Sequence, residues 1–389
     1  MEDLLYNRLK RILISLIEIP SVNPFEKEGI GESEISEFIY EDLKSHNLQV
    51  EFQEVEENRK NVIATLKGKN PGPTLILNGH MDTVGVENME IDPFKGEEDA
   101  KGNIFGRGAA DMKGGLASMI VALETVADIV DPSKISGSVI FSAVVDEEYM
   151  GKGTKKFVEK YHGNGALVGE PTDLKIGIAH KGIIHYYITT HGKAVHGSVP
   201  ELGVDAIKMM CGFVNALYSH RFTLEHPILG KPKLHVSMIS GGTEWSKVPD
   251  TCTLAVERRT LPGETWETVK EEINALIRKA SDFDRTFNAS IYLHSEFPPM
   301  ETDPQSLIVK DLSATYKRLT SAEPQLIGLP YWTDGATLSS KGIPTLIFGP
   351  GDISVAHSKL EYVSFNQVLL ATNIYIDFIL KWFDIKDAP

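Results

Sequence analysis

Cysteine is scarce in this chain of 389 residues, which holds only Cys211 and Cys252. Two thiols make no disulfide framework; they fit a reducing compartment and exclude the small stapled folds of secreted domains. Basic charge is also short, with 39 Lys and Arg against 54 Asp and Glu and a formal net charge of -15. That balance argues against nucleic acid or an anionic membrane as partner. It also means that an anionic substrate must be met by cations placed locally. No apolar run approaches the roughly 18 residues of a membrane span. The start, Met1-Glu-Asp-Leu-Leu, lacks a basic leader and a small-residue cleavage site, so a cytoplasmic location is expected. Internal repeats and low-complexity segments are missing too.

What is present is length enough for two domains, since single cores stop growing near roughly 250–300 residues. Apolar residues at helical spacing predict a helix over 4–17, and Pro20 ends it. A second helix is predicted over 33–43 with Ser33 as its cap. Strands are predicted over 49–55, 61–66, 74–80, 138–145 and 166–168, and a helix over 116–129. The run Leu75-Ile76-Leu77 has no polar alternation, which suits a central strand covered on both faces. Strands alternating with helices argue for a doubly wound α/β core. Between His180 and His294 the order becomes strand, helix, strand, strand, helix, strand, the ferredoxin-like βαββαβ unit. Helices over 306–319 and 365–380 and a strand over 345–348 follow. The expected fold is therefore an α/β domain with a doubly wound mixed sheet, residues 1–179 and 295–389, interrupted by a ferredoxin-like domain at 180–294.

Polar residues collect where the apolar strands end. His80 and Asp82 close one strand and, two residues apart, leave an extended backbone on the same side. Asp111 precedes a helix, Glu147 and Glu148 follow another strand, Glu170 closes a third, and His357 lies far downstream. In open α/β sheets chemistry gathers beyond the carboxyl ends of such strands. Imidazoles and carboxylates without thiolates suit zinc, cobalt or manganese in a hydrolytic site rather than a structural zinc finger. Two metals sharing one carboxylate would use the whole set and clamp the attacking and leaving atoms of a hydrolysis. Neighbouring side chains diverge, so only one of Glu147 and Glu148 can ligate a given metal; the other is free to act as a base.

Taken together, His80-Met-Asp82-Thr-Val, Gly106-Arg-Gly-Ala-Ala-Asp-Met-Lys-Gly-Gly115, Asp146-Glu-Glu148, Gly169-Glu-Pro-Thr172 and His357-Ser occur in an order that resembles the dinuclear zinc aminoacylase–carboxypeptidase family. Within it the likeness is to the acetylornithine deacetylase and succinyl-diaminopimelate desuccinylase group, and it covers nearly the whole chain. The resemblance implies two divalent ions, zinc first, with cobalt or manganese as alternatives. One would be held by His80, Asp111 and Glu170, the other by Asp111, Glu148 and His357, with Asp111 bridging through a cis peptide to Met112. Asp82 would orient His80. Glu147 would be the general base that activates a bridging hydroxide and then the proton donor to the leaving amine.

The inserted domain would be a lid that also dimerises. The resemblance gives His196, in His191-Gly-Lys-Ala-Val-His196-Gly-Ser, the role of reaching the partner subunit's active site and donating to the oxyanion. Arg259 would grip a substrate carboxylate, for which a guanidinium fork is the matching group. Ser246 stands where the family usually has asparagine, a departure that bears on substrate contacts. Gly328 and Tyr331-Trp-Thr333-Asp334-Gly335 are expected to form a substrate-side loop, with Asp334 either meeting a basic substrate group or capping the helix that follows. The implied activity is removal of an acetyl or succinyl group from an N-acylated amino acid such as N-acetylornithine or N-succinyl-diaminopimelate. A carboxypeptidase or dipeptidase using the same site is the alternative. A binding protein without activity is disfavoured because Glu147 and every ligand are present, and an aminopeptidase is disfavoured by His196 and Arg259.

Overall fold

The computed structural model describes residues 2–384; Met1 and 385–389, which belong to the expected first domain, lie outside the described residues. The chain divides into two compact units, one of residues 1–178, 301–327 and 333–389, the other of 179–300 and 328–332.

The first unit is built on a mixed sheet. Its strands run in the order Gln49–Glu56, Arg59–Lys67, Ser136–Val144, Asn70–His80, Gly165–Val168, Thr345–Ile347. The strand Asn70–His80 sits in the middle, parallel to both its neighbours. Leu75, Ile76 and Leu77 are fully buried, which is why the segment needs no polar alternation. One covering helix, Gly114–Ile129, is buried along almost its whole length. It packs on the closing helix Phe365–Trp382, where Ser118 Oγ donates to the Val368 carbonyl at 3.1 Å. The helix Glu2–Glu18 adds Leu9, Ile12, Leu13 and Leu16 to the same core. Each such buried side chain contributes roughly 1.5–3 kcal/mol of transfer free energy, so this core fixes where the strand ends lie.

The second helix spans Ser33–Lys44, and Ser33 does not cap it: Glu32 takes the cap position without a side-chain cap bond. Glu32 is buried and engaged by Arg59, so ion pairing has overridden the local cap preference. Short elements without a legible period complete the unit, among them the helix Lys152–Phe157 and the strand Ile176–His180, and the strand Leu326–Leu329 is equally brief. They are too brief to show a period.

The second unit is an antiparallel sheet ordered Lys233–Gly241, Thr251–Thr260, Gly182–His191, Ala289–Phe297, with helices Ala206–Ser219 and Trp266–Phe283. This is the split βαβ order of the ferredoxin-like unit. Asp205 caps the first helix by accepting from Lys208 N at 3.0 Å. A Thr265–Thr268 capping box starts the second. Tyr186, Ile188, Leu254, Val256, Met210, Phe213 and Ile273 fill a core of its own. Among the described residues no helix is long and apolar enough to cross a membrane.

Candidate metal centre

His80 is the last residue of the central strand and is 1% exposed. Its Nδ1 lies 2.9 Å from the Asp82 carbonyl oxygen, which can only accept, so Nδ1 carries the proton and Nε2 faces the site. Asp82 thus orients His80 as expected, but its carboxylate takes no part, the nearer oxygen lying 3.7 Å from Nδ1. It accepts instead from the backbone N–H of Glu147 and of Glu148, each at 3.1 Å, and from Asn23 Nδ2 at 2.7 Å. Thus the Asp82 backbone orients the histidine, and its side chain holds the Glu147–Glu148 turn.

Asp111 lies in a wide turn, Ala109–Lys113, whose backbone leaves the helical region at Asp111 and Met112, and the peptide between these two is cis. The turn is clamped from behind by Glu361, which nothing in the sequence marked. One oxygen of this fully buried carboxylate accepts from Ala110 N at 3.0 Å and Asp111 N at 3.1 Å; the other pairs with Arg107. The helix that follows, Gly114–Ile129, has Gly115 in its first turn, where a Cβ would lie 1.9 Å from the Gly169 carbonyl. Only glycine lets this helix approach the strand end that carries Glu170.

The strand Ser136–Val144 leads into Asp146, whose φ of 70° is left-handed. Arg59 Nη1 holds the Asp146 carboxylate at 2.8 Å, and Glu32 accepts from Asp146 N at 3.2 Å. This buried Arg59–Glu32–Asp146 group sets the turn that presents Glu147 and Glu148. His357 also has a left-handed backbone, φ 57°, and its side chain is 49% exposed.

These residues converge. His80 Nε2 is 3.1 Å from Asp111 Oδ1 and 3.7 Å from Glu170 Oε1. His357 Nε2 is 3.2 Å from Asp111 Oδ2 and 3.2 Å from Glu148 Oε1. Two sets of potential ligands result, His80–Asp111–Glu170 and Asp111–Glu148–His357, the atoms of each within 4.8 Å of one another. Glu147 belongs to neither set, and its carboxylate lies 4.0 Å from His80 Nε2.

The electrostatics show what the site needs. Burial, then the neighbouring Glu170, pushes the Glu147 carboxyl well above the carboxylate range. Burial and Asp111 do the same to Glu170, whose Oε1 is buried without a hydrogen-bond partner. Burial opposes protonation of His357, but Asp111 and Glu148 outweigh it and push the imidazole up to about 11. Four acids around two imidazoles leave an excess of buried negative charge and an orphaned oxygen, which divalent cations would satisfy. The donor set fits them.

The remaining expected residues divide between the units. Thr333 is fully buried, and its Oγ1 accepts from Gly335 N at 3.1 Å at the start of the helix Gly335–Ser339. Asp334 stands at the cap position of that helix but makes no cap bond with its side chain. Its buried carboxylate accepts from Thr154 Oγ1 at 2.8 Å, and burial pushes it up to about 7. In the second unit His196 is exposed, with Nδ1 accepting from Ser198 N at 3.2 Å, so Nε2 carries a proton and has no acceptor among the described residues. Ser246 is exposed and its carbonyl accepts from Gly197 N at 2.7 Å. Gly328 lies in the strand Leu326–Leu329, where a Cβ would meet Leu229 at 2.7 Å. Arg259 Nε donates to Glu257 at 2.6 Å, and its two terminal nitrogens have no hydrogen-bond partner among the described residues.

A fold of this kind carrying this site defines a metal-dependent hydrolase of amide bonds. The chain belongs to peptidase family M20/M25/M40, whose family model matches residues 76–381. Over 356 residues it is 30% identical to the N-formyl-4-amino-5-aminomethyl-2-methylpyrimidine deformylase of Bacillus subtilis, covering 83% of each chain. It is 26% identical over 416 residues to a probable succinyl-diaminopimelate desuccinylase of Staphylococcus aureus, covering 97% of this chain and 98% of that one. A solved tripeptidase from Staphylococcus aureus shares the fold, with a TM-score of 0.79 at 22% identity over 97% of this chain and 99% of that chain.

Proposed function

We propose that the chain removes an acetyl or succinyl group from an N-acylated amino acid, such as N-acetylornithine or N-succinyl-diaminopimelate. The observation that carries this reading is the position of Glu147, beside two ligand sets that share Asp111 and outside both. His80, Asp111 and Glu170 would hold one divalent ion, and Asp111, Glu148 and His357 the other. When bound, the pair, zinc by preference, would supply Lewis acidity to the scissile carbonyl and lower the pKa of a water molecule. Glu147 takes the proton of the attacking water and returns it to the leaving nitrogen. Asp82 keeps Glu147 in place through its backbone amide. His196 offers its Nε2 proton to the developing oxyanion. Arg259 reads the substrate carboxylate, supplying the local cation that an acidic protein requires.

The reading includes a homodimer, with His196 acting in the partner's site. The edge strand Lys233–Gly241 supports it, since Met238 and Ile239 are 62% and 55% exposed there and Trp245 beyond it is fully exposed. An active monomer in gel filtration would remove the role of His196 in the partner.

A second reading, a carboxypeptidase or dipeptidase, uses the same residues, and the likeness to a solved tripeptidase favours it. The metal-reconstituted chain, assayed on N-acetylornithine, succinyl-diaminopimelate and a blocked dipeptide, separates the two. Deacylation at least tenfold faster than dipeptide cleavage supports the first; the reverse order supports the second.

A further inference from the structure

The loop after the helix Glu2–Glu18 reaches the turn that presents Glu147 and Glu148, and its Asn23 is 1% exposed. Two backbone bonds zip this loop to the segment after His80. Asn23 N donates to the Thr83 carbonyl at 2.9 Å, and Thr83 N to the Ser21 carbonyl at 3.0 Å. The Asn23 amide has one possible orientation. Its Oδ1 accepts from Phe25 N at 3.1 Å, and its Nδ2 faces two carboxylates, which only accept. Nδ2 donates to Asp82 Oδ2 at 2.7 Å and, more weakly at 3.4 Å, to Asp146 Oδ1. Asn23, Asp82, Asp146 and Glu147 all belong to the first unit.

Two groups compete for the Asp82 carboxylate. One is the pair of amides of Glu147 and Glu148, which donate at 3.1 Å to Oδ1 and Oδ2. The other is His80 Nδ1–H, 3.7 Å from Oδ1 and bonded at present to the Asp82 carbonyl at 2.9 Å. A carboxylate is the stronger acceptor of the two that Asp82 offers this ring, so something must hold it away. Asn23 does so: its short bond to Oδ2, braced by Thr83, keeps the carboxylate over the turn. A side chain that only closed its own loop would not need this bond. Asn23 Oδ1 and the Glu26 N bond to the Asn23 carbonyl, at 2.9 Å, already close the loop.

We infer that Asn23 is a positioning residue for the base: it keeps the Asp82 carboxylate on the Glu147 and Glu148 amides and off the His80 ring. Asn23 acts through Asp82 and is not itself a catalytic residue. The inference rests on the role of Glu147 proposed above.

In the metal-reconstituted full-length chain, N23A should lower kcat roughly 10–100-fold, the usual result of disturbing a group that orients an active one. Two metal equivalents should remain and KM should change little. N23D keeps the size of the side chain but lacks the donor, and it should lose at least as much if N23A proves too unstable to assay. D82N should lose as much as N23A, and the double variant no more than D82N, because the two residues act in series. The His80 Nδ1–H resonance, followed by NMR in the metal-free full-length chain with isotope-labelled histidine, should move downfield in N23A as the carboxylate replaces the carbonyl. A wild-type kcat in N23A, an unmoved resonance, or losses that add in the double variant would overturn the role. If no acyl amino acid or dipeptide is hydrolysed, the proposed function falls, and the resonance still decides where Asn23 holds Asp82.

Discussion

The two ligand sets that share Asp111 differ in cover. His80, Asp111 and Glu170 are all buried, and the His80 ring is fixed by the Asp82 carbonyl. Asp111, Glu148 and His357 end in a histidine whose side chain is 49% exposed. The first set lies under the packed end of the central strand, so its geometry is fixed by the core. The second is completed by a loop that solvent reaches. A seat formed by buried groups holds an ion and exchanges it slowly; a seat open on one side is where water and substrate arrive.

The largest expected effect isolates the chemistry from both seats. Glu147→Gln should lower kcat by roughly a thousandfold while two metal equivalents remain, because general acid–base catalysis contributes on this scale. Metal analysis of the purified variant checks it; loss of an ion would make Glu147 a ligand and free Glu148 for the base. His357→Ala should reduce binding to a single equivalent, and a chelator titrated into the wild-type chain should empty the open seat first. If His80→Ala leaves more metal bound than His357→Ala does, the ranking of the seats is wrong.

A smaller effect tests what lies behind them. Glu361→Gln keeps the shape but weakens the grip on the Ala110 and Asp111 amides. Metal affinity should fall roughly 10–100-fold, the usual result of disturbing the groups that orient a ligand. An unchanged dissociation constant would show that Asp111 needs no such support.

The smallest effect lies in the lid. The His185 hydrogen bond, followed by the charge of Arg259, holds the Glu257 carboxyl at about 2, below its ordinary 4.5. A depressed carboxyl stabilises the fold above its unfolded value and loses that contribution as pH falls. Glu257→Gln should therefore destabilise at neutral pH by about 1 kcal/mol or less, given its partial exposure. The difference should vanish between pH 4.5 and about 2. Thermal melts at pH 7 and pH 3 check it, and an equal difference at both would contradict the assignment.

Part of this site is legible in the amino-acid sequence. His80, Glu148 and Glu170 come at or after the ends of apolar strands, which strand topology carries to one end of a sheet. Asp111 precedes a helix and His357 lies in a loop, and only the family resemblance joins them to the set. The groups that hold them were not legible. Glu361 comes four residues after His357 with no pattern around it, and its partners Ala110 and Asp111 lie some 250 positions upstream. Arg59, Glu32 and Asp146 likewise read as ordinary charges, because burial and pairing arise only when distant segments meet. Asp82 orients His80 as expected, through its backbone carbonyl rather than its side chain. Spacing puts that side chain beside His80, whereas the turn after the neighbouring strand supplies two amides that compete for the carboxylate. Asp334 keeps the cap position of the helix Gly335–Ser339 but makes no cap bond with its side chain, because Thr154 engages the carboxylate while the Thr333 hydroxyl accepts from Gly335 N.

The central claim is that one carboxylate, Asp111, serves two cations. Anomalous diffraction from a crystal of the zinc-reconstituted chain tests it most directly. Two peaks are predicted roughly 3.5–4 Å apart, one against His80 and Glu170, the other against Glu148 and His357, with Asp111 bound to both. A single peak, or two peaks with Asp111 bound to only one, would contradict the account.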